Sequence, residues 1–195
     1  MHHRVSSLGL CLAGVLGLMA TSGRLEARAL AGVIMPDSLT VEGETLRLNG
    51  MGLRTFTFLQ VHGYVAGLYV KRPSQDADAI LSMPGSKLMR IQYVHAASIS
   101  RGQDELRLVR SLNCTGGCPK SDDSAFAQLL DAVRPVKPGD VNTYVYGPAS
   151  VEILFNGKSV TTIQNADFAR RMLGGMIGAH PPSKSLRDGL LAGWP

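Results

Sequence analysis

The chain has 195 residues, 45% hydrophobic and 18% charged, with a formal net charge of +5. That length allows one domain with a sizeable core. So mild a charge, with no basic run, carries no footprint of nucleic-acid binding.

The first thirty residues read as a leader. Arg4 precedes the apolar run "LGLCLAGVLGLMA" (8–20), and small residues follow, with Ala-x-Ala pairs at Ala27/Ala29 and Ala29/Ala31. A basic start, a short apolar run and small residues at the cut are the layout of a secretory signal peptide. Residues 1–29 are therefore expected to be cleaved and 30–195 to form a single domain, with no stable membrane span after processing. An uncleaved anchor is the competing reading, and an apolar run this short is a poor membrane span. Cys11 lies inside the run behind Leu10, where a lipoprotein would need a small residue, so lipidation is rejected. Cleavage removes three of the 20 basic and one of the 15 acidic side chains, leaving a net charge of about +3.

"VIMPDSLTVEGETLRLNG" (33–50) holds short strand-prone pieces broken by Pro36, Gly43 and Gly50. In "LNGMGLRTFTF" (48–58), Gly50 and Gly52 read as a tight turn that opens a strand. Arg54, Phe56 and Phe58 then alternate onto one face. A guanidinium that shares a face with two phenyl rings needs an anion. A ligand carboxylate or phenolate would suit its planar fork. A protein carboxylate or the carbonyls of the glycine turn would serve as well. Further along, Gly63 and Gly67 indicate a bend or close packing. Tyr64 reads as a packed strand tyrosine or a donor to ligand, Tyr69 as core, and His62 as a half-exposed strand residue or an acid–base group.

"DADAILSM" (76–83) suits one short helix, and "KLMRIQYV" (87–94) sets Met89, Ile91 and Tyr93 on one strand face. From 98 to 133 the pattern is helical, with Leu106, Val109 and Leu112 in one stripe and Phe126, Leu129, Leu130 and Val133 in another. "NCTGGCPKS" (113–121) interrupts it. Export permits a Cys114–Cys118 disulfide there, and the intervening glycines let the sulfurs meet. Free thiols and a redox pair are the lesser alternatives. Two thiolates alone make a poor zinc site, and no metal or cofactor motif is visible.

The period returns to two at "DVNTYVYG" (140–147) and "SVEILFNGKSVTTI" (150–163), where Asn156-Gly157 marks a hairpin. Asn165 is placed to cap a helix whose stripe, Phe168, Met172 and Met176, reads as core or as lining of a cleft. Pro181 and Pro182 end it, and Ser183 opens a last short helix. Strands, helices, strands, helices: the class is α+β, a mostly antiparallel sheet packed on one side by helices.

Five pieces occur in order: "LNGMGLRTFTF", "HGYVAGLYV", "KPGDVNTYVY", "FNGKSVTTIQNADFARRMLGGMIG" and "PPSKSLRDGLLAG". Together they resemble the chalcone isomerase-like family, in particular its bacterial exported branch. The resemblance implies an open-faced β-sandwich, a large antiparallel sheet against a layer of helices, with a ligand cleft between them. Plant enzymes of this fold close a flavanone ring without a cofactor; other members bind fatty acids and are not isomerases. By this resemblance Arg54 falls at the arginine that holds or polarises the substrate. Tyr64 stands five residues before Tyr69, where those enzymes use a threonine to bind a water at the substrate ketone. The helical middle has no counterpart.

Three functions follow as expectations. The first is an exported, periplasmic domain that binds a small amphipathic acid, fatty-acid-like or phenolic, with Arg54 as anchor and Phe56, Phe58, Phe168 and Met172 lining the cleft. The second is a cofactor-free isomerase or intramolecular lyase using Arg54 and Tyr64 at an oxyanion. The third is an envelope interaction domain in which Arg54 is structural.

Overall fold

The computed structural model describes residues 27–56 and 61–194. Phe58 and nearly all of the expected leader, residues 1–26, lie outside them. Among the described residues nine strands run β1 (Ala27–Leu30), β2 (Val33–Pro36), β3 (Ser38–Val41), β4 (Glu44–Phe56), β5 (Val61–Val70), β6 (Lys87–Tyr93), β7 (Val141–Tyr146), β8 (Val151–Phe155) and β9 (Lys158–Ile163). The helices are α1 (Ala77–Ser82), α2 (Ile99–Asn113), α3 (Asp123–Asp131), α4 (Ala166–Ile177) and α5 (Lys184–Leu190), and one 3-10 turn (Lys120–Asp122) leads into α3.

Strands β3 to β9 form one sheet in chain order, every neighbouring pair antiparallel. The segment with α2 and α3 is inserted between β6 and β7, which are themselves paired. Local signals set several boundaries. Asn165 and Ser183 accept backbone N–H groups of Phe168 and Leu186, capping α4 and α5. Asn156 and Gly157 both take positive φ at the β8–β9 turn.

Alternation sorts the sheet into two buried faces. Tyr64, Ala66 and Leu68 of β5, Met89 and Ile91 of β6, Tyr144 and Tyr146 of β7 and Ile153 of β8 meet Leu129, Leu173, Ile177 and Leu190 from the helices. On the reverse face Leu46, Leu48, Val65, Tyr69 and Leu88 pack beneath Val33 and Met35 of the β1–β2 hairpin. The Tyr69 hydroxyl donates to the Pro36 carbonyl at 3.0 Å, so Tyr69 is core, as the sequence suggests. At the hairpin, Arg28 lies 3.4 Å from Asp37 and its guanidinium stacks 4.8 Å from the Trp194 ring.

One expectation is corrected. Gly50 and Gly52 open no strand: both lie inside the 13-residue β4, which curves through bulges at Leu48/Gly50 and Arg54/Thr55. They are glycine because α5 rests its backbone on them. A Cβ at Gly50 would fall 2.1 Å from the Gly189 carbonyl oxygen, and one at Gly52 2.2 Å from that of Leu186. This contact brings the end of the chain down on the strand that carries Arg54.

Candidate functional site

Sheet and helices do not close on each other everywhere. Between β5–β8 and the layer of α2, α3 and α4 lies a cavity of about 340 Å³. Met89, Ile91, Ile153, Leu129 and Met176 make its apolar body, and Leu106 and Val109 of α2 roof it. Helix α2 covers the cavity without burying any of its own residues fully. It is a thin roof, fastened by Gln103 donating to the Leu130 carbonyl and by Asn113 donating to the His180 carbonyl.

Arg54 meets a protein carboxylate here. Its Nε and Nη2 donate to Oε1 and Oε2 of Glu105 at 2.7 and 3.1 Å, and Nη1 donates to the Thr55 carbonyl at 3.2 Å. Of the partners the sequence allowed, a protein carboxylate, Glu105 of α2, therefore occupies the fork, and Glu105 rather than Arg54 stands at the cavity wall. Burial disfavours the cationic form, but the Glu105 hydrogen bond and charge outweigh it and the Arg54 pKa is raised.

Phe56 shares a face with Arg54, as strand alternation requires. The Arg54 guanidinium lies 4.8 Å from the ring centroid and that of Arg101 5.1 Å from the same ring. Gly63, across the strand pair, leaves the space the ring fills: a Cβ there would sit 2.0 Å from Cε2 of Phe56. One end of the cavity thus holds two guanidinium groups and one carboxylate. Among the described residues Arg101 forms no ion pair.

From that end a row of phenols runs inward. The rings of Phe56 and Tyr64 pack edge-on at 6.3 Å, and those of Tyr64 and Tyr93 at 5.9 Å. Asn142 donates to the Tyr93 hydroxyl at 3.0 Å. Burial, then the charge of Glu105, pushes Tyr64 well above the usual phenol range. Burial also raises Tyr93, and lifts Tyr144 to about 12. All three stay neutral near pH 7 and are available as donors rather than bases. His95 lies exposed at the rim.

The predicted site residues are thus partly brought together. Tyr64, Phe56 and Met172 line the cavity, and Arg54 stands directly behind it. Phe168 is core, and it lines a neighbouring hollow instead. His62 is exposed on its strand. Cys114 and Cys118 form a disulfide with Cα atoms 5.0 Å apart. The sequence reading missed Arg101, Glu105, Tyr93 and Asn142. A signal existed for the first two: Arg101, Glu105 and Val109 recur every four residues, on one helix face.

Comparison with known proteins agrees with this architecture. The crystal structure of an Arabidopsis thaliana fatty-acid binding protein superposes with a TM-score of 0.67 at 17% identity, covering 85% of this chain and 96% of that one. No curated protein sequence matches. Among the described residues no helix is long and apolar enough to cross a membrane. A family model described as chalcone isomerase-like matches residues 27–192, and the chain belongs to that family.

Proposed function

We propose that the protein binds a small amphipathic acid, fatty-acid-like or phenolic, in the cavity beneath α2. The observation that carries this reading is the charge at the Phe56 end: two guanidinium groups face one carboxylate, a surplus of one positive charge beside an apolar chamber. The acid's carboxylate takes that surplus and its apolar body lies along Leu129, Ile153 and Met176. Arg101 is the receiving group. Arg54 stands behind the wall and holds Glu105 in place, three of its five N–H donors being committed among the described residues. The fatty-acid binding protein of like fold supports a ligand of this class. The leader pattern supports export, to the periplasm of a bacterium, and the Cys114–Cys118 disulfide fits an oxidising compartment.

Extraction of the purified protein with organic solvent, followed by mass spectrometry, tests the reading. A carboxylic acid near one per chain is expected, and Arg101→Ala should carry much less. Protein that carries no acid and takes none up would overturn it. The neutral Tyr64 and Tyr93 hydroxyls favour one second reading, an isomerase that steadies an oxyanion by hydrogen bonds. Turnover of a chalcone, lost in Tyr64→Phe, would establish that reading.

A further inference from the structure

Behind the cavity lies a second hollow of about 490 Å³, between α2, α4 and the segment that leads into α3. Leu81, Phe126 and Phe168 form its apolar floor. Leu106, Val109, Leu129 and Met172 line both spaces, so the wall between them is one side chain thick. That wall is soft. Met172 is only half-buried, unbranched and turns about three bonds. Leu106 and Val109 sit on the helix that buries no residue fully.

We propose that the two hollows are chambers of one site, and that the chain of a long unbranched carboxylic acid passes Met172 into the second. This rests on the reading of the first chamber as an acid-binding cavity. Charge at the second chamber suits a tail rather than a headgroup. Arg171 is held bidentately by Asp122, and Arg110 donates through Nη2 alone to Asp123. Arg170 and Asp167 also line this chamber, without an ion pair between them. The three guanidinium groups there, Arg110, Arg170 and Arg171, are matched in number by Asp122, Asp123 and Asp167, whereas the Phe56 end keeps a surplus. The headgroup is thereby directed to the first chamber and the chain end to the second, making Met172 the residue that sets the usable chain length.

Calorimetric titration of the delipidated full chain with octanoate, dodecanoate and hexadecanoate tests the proposal. Affinity should climb by about fourfold for each methylene buried and keep climbing through hexadecanoate. Gly174 lines only the second chamber, and a Cβ there would lie 3.6 Å from Leu81 Cδ1, an ordinary contact. Gly174→Leu therefore fills that chamber alone. It should weaken hexadecanoate about tenfold or more while leaving octanoate within about twofold. Leu81→Trp fills the same space from α1 and should act alike if Gly174→Leu fails to fold. Hexadecanoate binding unchanged in both variants, or wild-type affinity that stops rising at dodecanoate, would overturn the second chamber alone. Failure of all three acids to bind would overturn the acid-binding reading and this proposal with it.

Discussion

Arg54→Met removes the charge and the fork while keeping similar bulk, and it isolates what the Arg54–Glu105 pair contributes. The pair joins β4 to α2 across 51 residues of sequence. The Arg54 side chain keeps 10% of its exposure and that of Glu105 18%. Loss of one partner from a buried pair costs about 3–5 kcal/mol, because the other charge is stranded. Glu105 has enough access to water to recover part of this, which places the loss at the lower end, about 3 kcal/mol. For a domain of this size that is a fall in melting temperature of about 6–12 °C. The double variant Arg54→Met/Glu105→Leu strands no charge and should recover to within about 1 kcal/mol of the parent. Urea or thermal melts of parent, both single variants and the double variant complete the cycle. A single variant that melts with the parent, or a double variant no better than the single, would refute the claim that this pair fastens α2 over the cavity.

The Cys114–Cys118 loop is so short that its closure contributes at most about 2 kcal/mol by loop entropy. Replacing both by Ser should lower the melting temperature by about 4–8 °C at most, and global unfolding would show a larger role. The Lys137 amide, the Lys137 ammonium and the Asn156 side chain hold the Asp140 carboxyl at about 2, against 3.8 ordinarily. A depressed carboxyl contributes fully above its ordinary value and loses that contribution as pH falls towards the folded one. Stability should therefore drop between about pH 4 and pH 2, and Asp140→Asn, less stable at pH 7, should show a flatter profile there in pH-resolved melts. Intact mass of secreted protein should show a chain starting within a few residues of Leu30; one that retains residues 8–20 would make the apolar run an anchor.

What could be read in the sequence is what neighbours in the chain decide. The caps at Asn165 and Ser183, the Asn156-Gly157 turn and the Met89–Ile91–Tyr93 strand face all have causes within a few residues. Gly50 and Gly52 were misread as a turn because their cause, the backbone of α5, lies more than 130 residues further along the chain. The same distance effect hid the partner of Arg54. A charged residue amid the stripe of α2 was visible, but nothing local tied Glu105 to a strand 51 residues earlier. The tyrosines of β7 alternate plainly in the sequence, yet only the helices over them reveal that this face lines a cavity. Cover of the reverse face by Val33 and Met35 was likewise outside what alternation can tell, since it gives the faces of a strand and not their occupants.

The most direct test of acid binding compares dodecanoate with dodecanol by calorimetry on delipidated protein, with Arg101→Ala beside the parent. The account predicts one acid per chain, with the alcohol weaker by about tenfold or more because it forms no charge-assisted bond. In Arg101→Ala that preference should shrink towards parity. Equal affinity for acid and alcohol in the parent, or no binding of either, would contradict it.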